Sequence, residues 1–249
     1  MERSVRPTRL SAGLAVGDPG RHLDGARAPN YSRELLHQHS RASASVTFLD
    51  RIHGVVAHPR RVRVLAEHAA RLIPRDAHVL DVGTGDGLLA TTLTNYRPDI
   101  RIEGCDVLVR DNTSHPVAAF DGRVIPRAAD SVDVVTFFDV LHHADDPLAL
   151  LREGARVARS YVLIKDHLRD GTCAGWMLRF MDDVGNRRHG VALPHNYWST
   201  PEWVAAFTDL GLDRAVWQVG GLGIYPWPAS LIFGRNLHML ALLNVRKRP

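Results

Sequence analysis

His78-Val79-Leu80-Asp81-Val82-Gly83-Thr84-Gly85-Asp86-Gly87-Leu88-Leu89-Ala90 is the stretch on which the fold turns. A short apolar strand ends in an acid, glycines recur at every second position, and an apolar helical pattern follows. A strand–turn–helix of this kind brings backbone N–H groups and a helix N-terminus close to a nucleotide-like ligand. The spacing is GxGxG. The dinucleotide fingerprint asks for its third glycine at position 88, which is Leu88, and this counts against a nicotinamide or flavin cofactor. No GKS or GKT follows the loop, so a nucleoside without a phosphate chain fits best.

Upstream, Pro59 opens a helix. Val62, Leu65, Ala66, Ala69 and Leu72 repeat at three- and four-residue spacing until Pro74 stops it. Residues 43–56 suit a further helix able to cover a ligand. Residues 1–42, rich in Arg, Gly, Pro and Ser, read as a flexible tail. One domain is expected over 43–249.

Downstream, strands and helices alternate. Strands are expected over Ile100–Asp106, Val117–Asp121, Val132–Phe138 and Tyr161–Ile164, with a helix over Leu88–Tyr96. Asp146-Pro147 reads as an N-cap and first-turn pair, opening a helix to about Val157. Near-continuous apolar runs mark strands buried on both faces. The pattern predicts an α/β, doubly wound, mostly parallel sheet with a helical N-terminal cover. Gly171–Trp198 is too long for an ordinary connection and is expected to form a helix plus a lid. A helix from Thr200 and two last strands, separated by an excursion over Gly220–Arg235, complete the chain.

The candidate site residues lie at strand ends, where an open parallel sheet places its ligands. Asp106, about twenty residues beyond the glycines, is placed to accept hydrogen bonds from both ribose hydroxyls. Asp121 can accept from an exocyclic amine such as adenine N6, and Gly122 lets the base approach. Phe138 and Asp139 leave the fourth strand toward the reacting end of the ligand. His142 and His143 suggest a metal or acid–base work, but neighbours in sequence point apart, and packing or capping is the reading preferred for His142. Lys165-Asp166-His167, expected just past the fifth strand, supplies a candidate base in His167, with Asp166 to orient it or bind a substrate amine. His195 in the lid is a second candidate. Trp176, Tyr197 and Trp198 would either wall an apolar acceptor or seat the lid.

From about Ser43 to the end the chain resembles a class I S-adenosylmethionine (SAM)-dependent methyltransferase of the broad "type 11" small-molecule group. The residues that carry the resemblance are Val79 to Gly87, Asp106, Phe120-Asp121-Gly122, Asp133-Val134-Val135 and Asp139 to His143. It implies a seven-stranded sheet with an antiparallel last strand. Asp81, Gly83, Thr84, Gly85 and Gly87 would surround the methionine part of SAM, Asp106 would hold the ribose, and Asp121 with Gly122 would flank the adenine. The family's usual helix between Asp106 and Val117 is missing. Methyl transfer to O, N or C of a metabolite is the expected activity. The alternatives are a non-catalytic SAM-binding partner and a nicotinamide-dependent oxidoreductase.

Composition narrows the partners. The 249 residues are 45% hydrophobic and 23% charged, with a formal net charge of +4 and a pI of about 9.4. Nearly all the positive charge is arginine; Lys165 and Lys247 are the only lysines. The one tight basic cluster, Arg246-Lys247-Arg248, reads as a solvated tail and not as a nucleic-acid surface. Neither an Asp/Asn-Pro-Pro-Tyr motif nor a Pro-Cys dipeptide occurs, which excludes the amino-group and cytosine-C5 types of nucleic-acid methylation. A small-molecule substrate is therefore expected, with no nucleic-acid partner. No apolar run approaches the roughly 18 residues of a membrane span. Cys105 and Cys173, without CxxC spacing or a signal peptide, fit a reducing compartment, and a cytoplasmic location is expected. No acidic constellation for magnesium is evident, so no metal is expected.

Overall fold

The computed structural model describes residues 58–186, 194–233 and 236–246. The expected tail over 1–42, the covering helix over 43–56 and part of the lid, including His189, lie outside the described residues.

Helix α1 spans His58–Leu72 and buries Val62, Leu65, Ala66 and Ala69, the face its spacing predicts. There follow β1 (His78–Val82), α2 (Leu88–Tyr96), β2 (Arg101–Asp106), β3 (Val117–Ala119) and β4 (Val132–Phe138). A 3-10 turn over Leu141–His143 leads to α3 (Pro147–Val157) and β5 (Ala158–His167). The chain closes with α4 (Ala174–Asn186), α5 (Thr200–Asp209), β6 (Leu212–Val219), the short α6 (Ala229–Phe233) and β7 (His238–Val245). The seven strands are ordered β3-β2-β1-β4-β5-β7-β6. Only β7 runs antiparallel, against both β5 and β6. The direction of strand succession reverses between β1 and β4, so the ligand crevice of such a sheet lies at their carboxyl ends.

Alternation along the strands feeds two cores. Leu80, Val82, Val135, Phe137 and Ile164 meet Leu150 and Leu151 of α3 and Trp203 and Phe207 of α5. Val79, Val134, Leu163 and Leu240 meet Leu65 and Ala69 of α1 and Ala90 and Leu93 of α2. Each buried Val, Leu, Ile or Phe among them contributes about 1.5–3 kcal/mol, so a sheet covered on both faces is the arrangement that uses these sequences. The helix ends are fixed locally. The Asp146 carboxylate accepts from Ala149 N at 2.9 Å, and Ser199 with Glu202 forms a capping box at α5.

Two strands differ from the sequence expectation. β3 stops at Ala119, short of Asp121. The Asp121 carboxylate accepts from the N–H groups of Arg123 (2.8 Å) and Val124 (2.7 Å), which turns the chain away before it can pair further. β5 is longer than Tyr161–Ile164: it continues through Lys165, Asp166 and His167, registered against Leu240, Met239 and His238 of β7. Three polar residues would not signal a buried strand. They are held in one because a neighbouring strand supplies the ladder.

Candidate functional site

Gly83, Gly85 and Gly87 all take positive φ, at 73°, 63° and 74°. Their missing side chains do different jobs. A Cβ on Gly83 would lie 2.4 Å from Val140 Cγ2, and one on Gly87 would lie 2.8 Å from His115 Cβ. Those two positions are closed by protein. A Cβ on Gly85 meets nothing nearer than Arg110 Nη2 at 4.0 Å, so the loop is open only at its middle glycine. Thr84 is buried against Gly104, where a Cβ would lie 2.7 Å from Thr84 Cγ2. The Gly83 N–H donates to the Cys105 carbonyl at 2.7 Å, and the Gly85 N–H to Asp106 Oδ2 at 2.8 Å. The loop is thereby tied to the end of β2.

Asp106 also accepts from Leu108 N at 2.9 Å through Oδ1. Two backbone bonds leave lone pairs on both oxygens of a carboxylate, so it can take hydroxyl donors at the open side of Gly85. In place of a helix, residues 107–116 form a loop pinned onto α2. Ser114 N and Oγ donate to the Asp86 carbonyl (2.8 and 2.9 Å), and Thr91 Oγ1 donates to the Ser114 carbonyl (2.9 Å). Gly122 has φ +79°, and a Cβ there would stand 3.1 Å from Val107 Cγ1.

Asp81 is almost completely buried and accepts from Thr136 Oγ1 at 2.6 Å. Burial pushes its carboxyl up to about 6, against the pull of the Thr136 and Thr84 hydroxyls. A desolvated acid of this kind is stabilised by a cation brought to it.

At the ends of β4 and β5 lies a different kind of site. The Phe138 side chain packs into the core against α1 and α2. Asp139, in the left-handed region at φ +57°, pairs with Arg61 of α1 and Lys165 of β5. Burial alone would raise the Asp139 carboxyl; the Lys165 and Arg61 charges outweigh it and hold the carboxyl well below its usual range. Burial lowers Lys165, with Asp139 opposing. Asp166 is fully buried. It accepts from the N–H groups of Leu141 (3.1 Å) and His167 (2.7 Å) and from His142 Nδ1 (2.5 Å). All three donors come from the protein itself, so of the two expected parts for Asp166 this geometry favours orienting its neighbours over binding a substrate amine. Its nearest approach to the His167 ring is 3.6 Å, at Nδ1, and the ring it holds directly is that of His142.

His167 is buried, with Nδ1 3.7 Å from Asp139 Oδ1 and 3.4 Å from His142 Nδ1. Burial and then the His142 charge push its pKa down, leaving a neutral imidazole at pH 7. For His142, burial opposes the charged form, but Asp166 and Asp182 outweigh it and raise the pKa to about 10.

The lid joins this cluster. The Tyr197 hydroxyl donates to Asp182 of α4, and His195 Nδ1 lies 3.1 Å from that hydroxyl. The other aromatic candidates are elsewhere: Trp198 packs on Trp203 with ring centroids 4.7 Å apart, and Trp176 is 72% exposed and stacks on Phe180. Three members of the cluster escaped sequence reasoning: Arg61, Asp182 and His238. Two had left a trace. Asp182 sits four residues after the buried Leu178 on α4, and His238 opens an apolar strand. A polar residue on a buried face is a sign of a partner.

Residues 56–220 match the family described as a methyltransferase domain. Solved structures share the fold. A Haloferax volcanii methyltransferase, in complex with the Trm112 methyltransferase activator, superposes with a TM-score of 0.56 at 19% identity, over 80% of this chain and 98% of that one. A SAM-dependent methyltransferase from Aquifex aeolicus gives 0.52 at 17%, over 80% and 100%. A Thermotoga maritima SAM-dependent methyltransferase, described as a possible histamine N-methyltransferase, gives 0.54 at 16%, over 86% and 97%. No curated protein sequence matches the chain. Among the described residues no helix is long and apolar enough to cross a membrane. The nicotinamide alternative falls with the family match, which covers the glycine loop, Asp106 and the fourth and fifth strands alike. The chain belongs to the methyltransferase-domain family and is a class I, S-adenosylmethionine-dependent methyltransferase.

Proposed function

We propose that the protein methylates a small molecule, with SAM held between the glycine loop, Asp106 and Asp81, and the acceptor held against the ends of β4 and β5. When bound, SAM supplies an electrophilic methyl group on a cationic sulfur. The chain's part is to place the two reactants and to manage charge and protons. Asp106 takes the ribose hydroxyls and Asp121 with Gly122 borders the adenine. Gly83, Thr84 and Gly87 shape the loop, Gly85 leaves the room, and Asp81 offers a carboxylate to the cationic amino-acid end. Asp139 faces the methyl-donor end while anchored by Arg61 and Lys165. His167, neutral and buried, receives a proton where the acceptor must lose one, and His195 borders the same cluster through Tyr197.

The observation that carries the small-molecule reading is burial. Lys165, Asp166, His167 and His142 are each at most 7% exposed. So enclosed a group of residues suits a small acceptor better than a base held in a duplex or a side chain on a folded protein. Calorimetry tests the cofactor half: SAM should bind, NAD(H) should not, and Asp106→Ala should weaken SAM at least tenfold, about 1.4 kcal/mol. Unchanged affinity would overturn the ribose assignment. S-adenosylhomocysteine release on adding a metabolite fraction, but not RNA or protein, tests the acceptor half. A turnover number unaltered in His167→Gln would retire the base.

A further inference from the structure

Among the described residues, the proposed base His167 also belongs to a constellation that the SAM cradle does not use. One ring nitrogen each from His142 and His167 and one carboxylate oxygen from Asp182 lie within 4.8 Å of one another, all three residues buried. We infer that this is a binding site for one divalent transition-metal ion, with His142, His167 and Asp182 as ligands.

Three observations carry the inference. First, His142 Nδ1 donates to Asp166 at 2.5 Å. That leaves Nε2 as the ligating nitrogen once the ion displaces its proton to solvent, with its ring fixed by a carboxylate that two backbone N–H groups hold in turn. A metal-bound histidine usually has its second nitrogen engaged in this way. Second, His142 Nε2 is buried, has no hydrogen-bond partner, and sits 3.5 Å from Asp182 Oδ2. A charged hydrogen bond would close to about 2.8 Å. Two ligands each about 2.1 Å from one tetrahedral ion stand about 3.4 Å apart, which is close to the spacing seen. Third, the Asp182 carboxylate is oriented: Tyr197 donates its hydroxyl to Oδ2, the oxygen that faces His142 Nε2, and a carboxylate oxygen keeps a second lone pair for an ion.

The ligand set also selects the ion. Two imidazoles and one carboxylate suit zinc or ferrous iron and are a poor match for magnesium, which prefers oxygen. A second group, Asp139 with His167 and His238, is less suited, since Asp139 is already neutralised by Arg61 and Lys165, whose charges would repel an ion. An ion at the first group engages His167, so acidifying the acceptor would fall to the ion and not to a free imidazole. This changes one residue's part in the proposed function and leaves the SAM cradle as described.

Zinc binding to the full chain, after chelator treatment, is the test, read by competition with a chromophoric zinc indicator. One ion per chain is expected. Asp182→Asn and His142→Gln should each weaken binding at least tenfold, and Asp166→Asn about tenfold. Cys173→Ser, which removes the exposed thiol, should bind as the parent does. Cobalt(II) in the parent should give d–d bands that Asp182→Asn lacks. Circular dichroism checks the fold of each variant. Asp182→Asn is the secure one, because an amide oxygen still accepts from Tyr197. No zinc bound by the parent, or zinc lost on Cys173→Ser but kept in Asp182→Asn, overturns the site. SAM calorimetry on the same samples separates this outcome from a failure of the cofactor reading.

Discussion

The glycine loop after β1 and the polar cluster at the ends of β4 and β5 are neighbours built on opposite principles. The loop spends backbone: positive φ, three glycines and main-chain bonds to β2, all within about thirty residues. The cluster spends side-chain charge: Arg61, Asp139, Lys165, Asp166, His142 and Asp182 come from α1, the β4 end, β5, the 3-10 turn and α4. The loop's cost is steric and local. The cluster's cost is desolvation, repaid only when every partner is present. The first is a shape that tolerates little change of volume. The second is a balance of charges that tolerates little change of valence.

Asp139→Asn should give the largest effect and break the cluster. It keeps a residue at ease with φ +57° but leaves Lys165 buried beside Arg61 without its anion. A loss of about 3–5 kcal/mol is expected by urea unfolding. A loss under about 1 kcal/mol would mean the charges are screened by water.

Gly83→Ala should come next. A left-handed alanine and the collision with Val140 add to about 2–5 kcal/mol. Val140→Ala in the same chain should recover part of it. Gly85→Ala, with only the backbone cost of about 1–2 kcal/mol, should lose far more SAM affinity than stability, and equal losses would remove the claim that only the middle glycine is open.

Asp81→Asn reverses the sign. The folded-state carboxyl titrates near 6 against an ordinary 3.8. Between those values the fold holds a proton that the unfolded chain has released, so stability falls as pH rises through that window and stays lower above it. The decline is on the order of 2–3 kcal/mol. The asparagine variant should lack that slope, melt higher than the parent at pH 7.5, and match it near pH 4. The parent's SAM affinity should rise through pH 6 as the carboxylate forms, and the variant's should not. A variant that melts lower at pH 7.5 would refute the desolvation account.

The smallest effect is expected at Asp121→Ala, where an exposed Asx turn is lost. Solvent-exposed bonds of this kind are replaced by water, so only a small change in melting temperature is expected. A marked affinity change for SAM would show that Asp121 reaches the adenine as well as turning the chain.

The strand–glycine–helix run, the acids Asp81 and Asp106, and the α/β alternation were legible because each is a short-range pattern with one physical meaning. Sequence reading also named Asp166 and His167, but not what they touch. It ended β5 at Ile164, since Lys-Asp-His offers no apolar alternation. Only pairing with Met239 and His238, seventy residues later, keeps those three in the sheet. It treated the three glycines alike, although Val140 and His115 fill the space at two of them.

Sequence alone determined the parallel sheet, the glycine turn and the family, because hydrophobic period and glycine spacing act within one element and its neighbour. Tertiary structure alone decided which charges meet. A buried ion pair is a relation between residues far apart in the chain, and nothing in the local pattern of Arg61, Asp182 or His238 names its partner. The polar cluster was therefore decided by the way β5, β7, α1 and α4 converge, where burial makes each polar group depend on the next.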